Sequence, residues 1–114
     1  MRVLVTGGRN NTEWTALWRT LDELKPSVVI EGGCTGFDAG AAEWCDKHPE
    51  VEHKQCNAPW LYLGHYAGPL RNIYMLEHYK PDLVVAGPRD GDSGTENTVR
   101  NALLRGIPVR RVHA

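Results

Sequence analysis

The sequence has few of the features that would place it in a specialised class of protein. No apolar run approaches the roughly 20 residues that a membrane-spanning helix needs, so we expect no membrane segment. Lysine and arginine total 13 against 14 acidic residues, and this balance argues against a protein that binds nucleic acid through bulk positive charge. The three cysteines, Cys34, Cys45 and Cys56, are widely spaced without a CxxC pair. This pattern predicts reduced thiols, with no disulfide framework or zinc finger.

Two standard phosphate-binding motifs are also missing. The chain has no G-x-x-x-x-G-K-[ST], which excludes a P-loop NTPase, and no G-x-G-x-x-G, which argues against a typical dinucleotide site. The histidines are scattered without an H-x-x-x-H pair. We therefore expect neither a metal site nor a cofactor. A strand begins within two residues of the first methionine, so we expect no signal peptide and a cytoplasmic protein.

What the chain does have is a short apolar run that leads into a glycine-rich turn, three times over. The three runs and their turns are residues 3–5 with 6–9, 28–30 with 31–36, and 83–85 with 87–95. Each turn is followed by a pattern typical of a helix. Alternating strands and helices predict an α/β fold with a parallel sheet, here a single domain over residues 1–114.

The remaining periodicity and the turn residues predict five strands and four helices. The predicted strands are residues 2–6, 27–31, 51–56, 82–86 and 108–112. The predicted helices are 11–24, 37–47, one that begins near Pro69, and one that opens at Ser93. Asn10 with Glu13, and Ser93 with Glu96, have the spacing of a capping box, and Gly106 lies where a C-terminal cap glycine belongs.

These elements suit a Rossmann-like, doubly wound sheet with strand order 3-2-1-4-5 and helices on both faces. Right-handed crossovers then bring the loops after strands one and four together at the switch point, where α/β proteins bind ligands. Free N–H groups of turns and helix N-termini favour phosphate there. The alternative is that each glycine only permits a tight turn between a strand and a helix.

Four segments resemble, in order, the motifs of the SLOG superfamily of Rossmann-like proteins. They are VTGGR at 5–9, GGCTGFD at 32–38, AGPLRNIYM at 67–75, and PDLVVA at 81–86 followed by Gly94-Thr95 and GIPV at 106–109. The resemblance covers nearly the whole chain and is closest to the YspA, or cpYpsA-related, type.

The resemblance implies a site for a nucleotide or nucleotide-derived small molecule, with a sensor as one role. Some superfamily members, the LOG-type phosphoribohydrolases, release a base from a nucleoside monophosphate, so a hydrolase that cleaves an N-glycosidic bond is the alternative. A DNA-associated module similar to the distant DprA relatives is a weaker alternative, because the net charge is near zero. The sequence leaves open a monomer, a homodimer or a higher homo-oligomer.

The third turn departs from the LOG pattern PGGxGTxxE, to which the resemblance assigns a catalytic glutamate. Gly94 and Thr95 match that pattern, but Thr98 occupies the position of the glutamate. Cleavage of a glycosidic bond needs a carboxylate, so binding is favoured over catalysis. The candidates for a catalytic role are Arg71, Glu96 and Asp38.

The predicted ligand-binding residues come from the three turns and from the third helix. They are Thr6, Gly7, Gly8, Arg9, Gly32, Gly33, Gly36, Asp38, Arg71, Asn72, Gly91, Ser93, Gly94 and Thr95. Phosphate is expected against residues 7–9 and 91–95, with Arg71 across from it. The second turn is expected to serve either ribose recognition or helix packing through Asp38, whose carboxylate alternatively caps free N–H groups.

Aromatic residues suggest two further roles. Trp14 and Trp18 are one helical turn apart, a spacing typical of core or subunit packing. Trp60, Tyr62 and Tyr66 lie in the loop before Arg71. Their rings either stack on a base or anchor the loop.

Overall fold

The computed structural model describes residues 1–58 and 64–113, in which strands and helices alternate along the chain. The strands are β1 (Arg2–Thr6), β2 (Val28–Glu31), β3 (Glu52–Gln55), β4 (Leu83–Ala86) and β5 (Val109–Arg111). The helices are α1 (Thr15–Leu24), α2 (Phe37–Asp46), α3 (Ala67–Tyr79), which follows a 3-10 turn at Gly64–Tyr66, and α4 (Ser93–Leu104). None of the described helices has the length and apolar character needed to cross a membrane.

The strands form one sheet in the order β3-β2-β1-β4-β5, and every pair is parallel. This confirms the predicted Rossmann-like α/β fold and its strand order. Thr6 at the end of β1 is in register with Ala86 at the end of β4, and the Gly87 amide donates to the Thr6 carbonyl at 2.9 Å. The loops after β1 and β4 therefore leave the sheet side by side.

Alternation along each strand divides the core between the two faces of the sheet, because successive side chains point to opposite sides. On one face, Val3 and Val5 of β1 contact the apolar sides of α1 and α2. On the other face, Leu4 and Val84 lie beneath the helices that carry Met75 and Ala102. The sheet is thus covered by α1 and α2 on one side and by α3 and α4 on the other.

The predicted start of α1 is wrong by four residues, and Asn10 with Glu13 does not form a capping box. The helix begins at Thr15, and its N-cap residue Trp14 makes no side-chain cap. Asn11 Oδ1 accepts from the Glu13 amide at 2.9 Å, and a Glu13 carboxylate oxygen accepts from the Thr15 amide at 3.0 Å. These polar side chains stabilise a turn before the helix, as short polar residues often do.

The predicted cap of α4 is wrong by one residue. Asp92, and not Ser93, is the N-cap, and its Oδ1 accepts from the Thr95 amide at 2.9 Å. The other end agrees with prediction. Gly106 has φ +72°, and its amide and that of Ile107 donate to Leu103 and Ala102, each at 3.0 Å. This is the hydrogen-bond pattern of a Schellman motif.

Candidate functional site

A cleft of about 440 Å³ opens at the carboxyl end of β1, beside the end of the loop that follows β4. Its walls come from the end of β1, the turn between β2 and α2, and the first turns of α3 and α4. Many of the predicted site residues line it, namely Thr6, Gly7, Arg9, Gly32, Asp38, Arg71, Asn72, Ser93 and Gly94, together with the candidate catalytic residue Glu96. The volume is within the usual range of ligand sites.

Gly8 and Gly36 join two loops and do not line the cleft. The Gly8 carbonyl accepts from the Phe37 amide at 3.1 Å, so the N-terminus of α2 is bonded to the first loop. Gly36 has φ +76°, and a Cβ there would overlap the backbone of Gly8 and Arg9. The Thr35 hydroxyl donates to the Arg9 carbonyl at 2.9 Å. These contacts favour helix packing as the role of this part of the second turn.

The other three predicted residues outside the cleft have different surroundings. Gly33 lines a neighbouring hollow on the far side of the second turn. Gly91 is exposed with φ +84°, so it supplies the left-handed conformation of the third loop. Thr95 is 2% exposed, and its amide and hydroxyl both donate to Asp92 Oδ1, at 2.9 and 3.2 Å.

Arg71 fastens α3 to the second turn. Its Nη1 donates to the carbonyls of Gly32 and Cys56, the latter at 3.2 Å, and its Nε donates to Asn72 Oδ1 at 2.9 Å. Nη2 has only a 4.0 Å contact with the Cys34 sulfur. Arg71 is half-buried and lines the cleft, and Asp38 is an acidic neighbour of its guanidinium.

Asn72 joins α3 to α4. The side chain is 3% exposed, and its Nδ2 donates to Asn97 Oδ1 at 3.1 Å and to the Gly94 carbonyl at 3.4 Å. With Arg71 Nε bound at its oxygen, the amide has protein partners on both ends. Its geometry therefore holds the first turn of α4 against the first turn of α3.

Asp38 is a buried carboxyl in the wall of the cleft. It is 6% exposed, and its Oδ2 accepts from the amides of Gly32 and Cys34, at 3.2 and 3.4 Å. Burial, followed by the nearby charge of Glu31, raises the pKa of Asp38 to about 7, although the Cys34 amide and the Arg71 guanidinium oppose the shift. The carboxyl thus changes its charge near neutral pH, inside the cleft.

The buried Glu31, next to Asp38, pairs with the half-buried His53, and the sequence did not predict this pair. Glu31 is 1% exposed, and its Oε2 lies 2.7 Å from His53 Nε2. Its other oxygen accepts from the Gly33 amide. The available signal was an acidic residue inside an otherwise apolar predicted strand, since such a residue is rarely buried without a partner.

Glu96, a candidate for catalysis, is engaged by an arginine. Both of its carboxylate oxygens accept from Arg111 Nη2, at 2.7 and 2.9 Å. Thr98, at the position that the resemblance assigns to a catalytic glutamate, is 1% exposed and donates to the Gly94 carbonyl at 3.1 Å. The Glu96 carboxylate is thus already paired with Arg111, and Thr98 has no carboxylate to offer.

The first turn of α4 combines backbone donors with a charged pair. Helix geometry leaves the amides of Ser93 and Gly94 without intrahelical acceptors, and both residues line the cleft. Arg9, whose side chain is 66% exposed, lies on the same rim with its Nε 3.9 Å from Asp92 Oδ2. A phosphate at this turn would meet both the helix N-terminus and the guanidinium.

Two further cleft residues, Asn97 and Arg100, were not anticipated. They lie one turn along α4 from Ser93 and Glu96 and present polar groups to the same cleft. Their spacing from Ser93, at four and seven residues, was the signal that one helical face lines the site. Among the residues that the structure describes, no three His, Cys, Asp or Glu side chains converge on a point where a metal ion would bind.

The aromatic residues divide between the core and the loop before α3. Trp14 and Trp18 stack with ring centroids 6.2 Å apart, and Trp18 Nε1 donates to the Gly40 carbonyl at 2.9 Å. This agrees with core packing between α1 and α2. Tyr66 is 74% exposed, and the predicted stacking residues Trp60 and Tyr62 lie outside the described residues.

The fold is shared with a solved enzyme structure. The chain is similar to a UDP-GlcNAc 2-epimerase from Neisseria meningitidis, solved bound to UDP-GlcNAc, with a TM-score of 0.58 and 22% identity. The likeness covers 97% of this chain but only 32% of the epimerase chain. At this identity it shows a common Rossmann-like fold alone. A comparison with curated proteins found no match.

The family follows from the sequence motifs. A model of the YAcAr family, described as the YspA, cpYpsA-related SLOG family, matches residues 1–62. The match spans more than half of the 114 residues, so the chain belongs to the YspA, cpYpsA-related SLOG family. The family predicted from the four ordered motifs is thereby confirmed.

Proposed function

We propose that the chain binds a nucleotide or a nucleotide-derived small molecule in the cleft above β1 and β4. The observation that carries this proposal is the meeting of Arg9 with the first turn of α4 at the switch point of the sheet. Such a point is where open α/β sheets take their ligands, and a helix N-terminus favours an anion. Membership of a SLOG family supports the same class of ligand.

The phosphate is placed at the amides of Ser93 and Gly94, with Arg9 as its movable cation. Arg9 is exposed and its contact with Asp92 is long, at 3.9 Å, so its guanidinium can turn toward a ligand at little cost. Arg71 acts mainly by positioning, because Nη1 and Nε already bind protein acceptors. Its Nη2 remains as a donor at the cleft side of the second turn.

The nucleoside is placed against the uncharged residues of α3 that line the cleft. Met75, Pro69 and Gly68 supply apolar surface, and Asn97 supplies an amide at the edge. The Asp38 carboxyl is placed to accept from ribose hydroxyls, since carboxylates are strong acceptors. This arrangement orients a phosphate toward the rim and a base toward the first turn of α3.

One observation favours a second candidate, the hydrolase. Asp38 is a buried carboxyl in the cleft with its pKa raised to about 7 by burial, and a general acid or base works best near the ambient pH. In that reaction Asp38 would act as the catalytic carboxyl, a role that Thr98 cannot perform. Glu96 is the poorer candidate, because Arg111 holds its carboxylate.

The proposal is tested by thermal unfolding with AMP, other nucleoside monophosphates, NAD and ADP-ribose, while base release is followed by chromatography. We expect at least one compound to raise the Tm of the parent protein, and Arg9→Ala to lose this shift. Arg19→Ala is the matched control, because Arg19 is exposed on α1 and does not line the cleft. If no compound raises the Tm, the binding proposal fails.

Two further outcomes separate the alternatives. Base release that Asp38→Asn abolishes would establish the hydrolase. Retention on single-stranded DNA at about 0.15 M salt would favour the DNA-associated module, since near-neutral proteins lose non-specific DNA binding at that ionic strength.

A further inference from the structure

A second hollow of about 510 Å³ lies next to the cleft, on the other side of the second turn. Arg9, Gly32 and Cys34 border both spaces. The two are therefore neighbouring compartments of one rim, and Arg9 lies at the boundary between them. A ligand whose phosphates lie against Arg9 can extend a group into each compartment.

The chemistry of the second compartment differs from that of the cleft. Its polar side chains include the amides of Gln55, the last residue of β3, and of Asn57, two residues further on. Gln55 Nε2 donates to Asn57 Oδ1 at 3.2 Å. Among the described residues that line the compartment, Arg9 is the sole charged one and none is aromatic. Neutral amides both donate to and accept from hydroxyl groups, so these side chains suit a group that carries several hydroxyls.

We propose that the ligand is a nucleoside diphosphate that carries a sugar on its terminal phosphate. This inference rests on the proposed function, because it takes the nucleoside to lie in the cleft. The diphosphate spans Arg9, and the sugar hydroxyls bind Gln55 and Asn57. The side chains of both residues are exposed, so their amides are accessible to a ligand.

The test compares ligands that differ only by the sugar. Titration calorimetry is run with ADP against ADP-ribose and with UDP against UDP-glucose, so that the result does not depend on one base. We expect the sugar-bearing member of one pair to bind about tenfold more tightly, which is what one or two net hydrogen bonds provide. Gln55→Leu and Asn57→Leu are expected to remove that advantage while the affinity for the plain diphosphate stays the same.

Lys54→Leu is the matched control, because Lys54 immediately precedes Gln55 on β3 but does not line the compartment. Equal affinity for both members of each pair would overturn the inference, as would variants that weaken diphosphate and sugar conjugate alike. NAD binding more tightly than ADP-ribose would assign the compartment to a second nucleoside instead. If neither the diphosphates nor AMP binds, the proposed function itself fails.

Discussion

Asn in place of Asp38 should remove a pH dependence from the stability of the fold. The Asp38 carboxyl is 6% exposed, and two backbone amides donate to its Oδ2. Burial raises its pKa from the ordinary value of 3.8 to about 7. An asparagine of nearly the same shape keeps an oxygen for the two amides but never ionises.

The direction of this pH dependence follows from the number of protons that the folded and unfolded states hold. Between about pH 4 and pH 7 the folded protein keeps the Asp38 proton and the unfolded chain has lost it, so the free energy of unfolding falls as the pH rises. The contribution is complete below pH 4 and lost above pH 7. A rise in pKa from 3.8 to about 7 corresponds to roughly 4 kcal/mol over that whole window.

The assay is urea unfolding of the parent and of Asp38→Asn at pH 5, 6, 7 and 8. The variant should gain stability relative to the parent by about 3 kcal/mol between pH 5 and pH 8. Asp46→Asn, at an exposed position on the same helix, is the matched control. A difference between parent and Asp38→Asn that stays constant from pH 5 to pH 8 would refute the reasoning.

Five further substitutions, at four positions, test the construction of the site. Arg71→Ala should lower the free energy of unfolding by about 2 kcal/mol, because the carbonyls of Gly32 and Cys56 lose their donor. An unchanged urea midpoint would contradict the role of Arg71 in holding α3 to the second turn. Gly36→Ala should lower the free energy of unfolding by about 3 kcal/mol or more, and Gly106→Ala by about 1 kcal/mol. Both glycines have positive φ, but only at Gly36 would a Cβ overlap backbone atoms. Equal losses in urea unfolding would contradict this reasoning. Asp92→Ala should lower the free energy of unfolding by about 1 kcal/mol, because α4 loses its N-cap. Asp92→Asn should keep the cap but remove a negative charge beside the proposed phosphate, so calorimetry should show tighter nucleotide binding. Weaker binding by Asp92→Asn would place the phosphate elsewhere.

Much of the fold could be predicted because its signals are local. Apolar runs with glycine turns identified the strands, and the rule of right-handed crossovers gave the order β3-β2-β1-β4-β5. The errors were at helix starts, where several short polar side chains compete for the same amides. Asp92 and Ser93 are both good cap residues, and the sequence alone does not decide between neighbours.

The candidate site was predicted by position but less well by role. Residues at the ends of β1 and β2 and at the first turns of two helices do line one cleft. Sequence did not show that the Gly8 carbonyl accepts from the N-terminus of α2, or that Arg71 binds two carbonyls, because both depend on contacts between distant segments. The pair of Glu31 and His53 depends in the same way on the register of β2 and β3.

The most direct test of the central claim is to map ligand contacts in solution. A 114-residue chain is suited to amide chemical-shift measurements, in which AMP, ADP and ADP-ribose are added in steps. We predict that the amides of Gly7, Ser93 and Gly94 move most, with saturation, while those at the far ends of the strands, such as Val28 and Leu83, do not. Shifts absent with every nucleotide, or clustered away from the carboxyl ends of β1 and β4, would contradict nucleotide binding at this cleft.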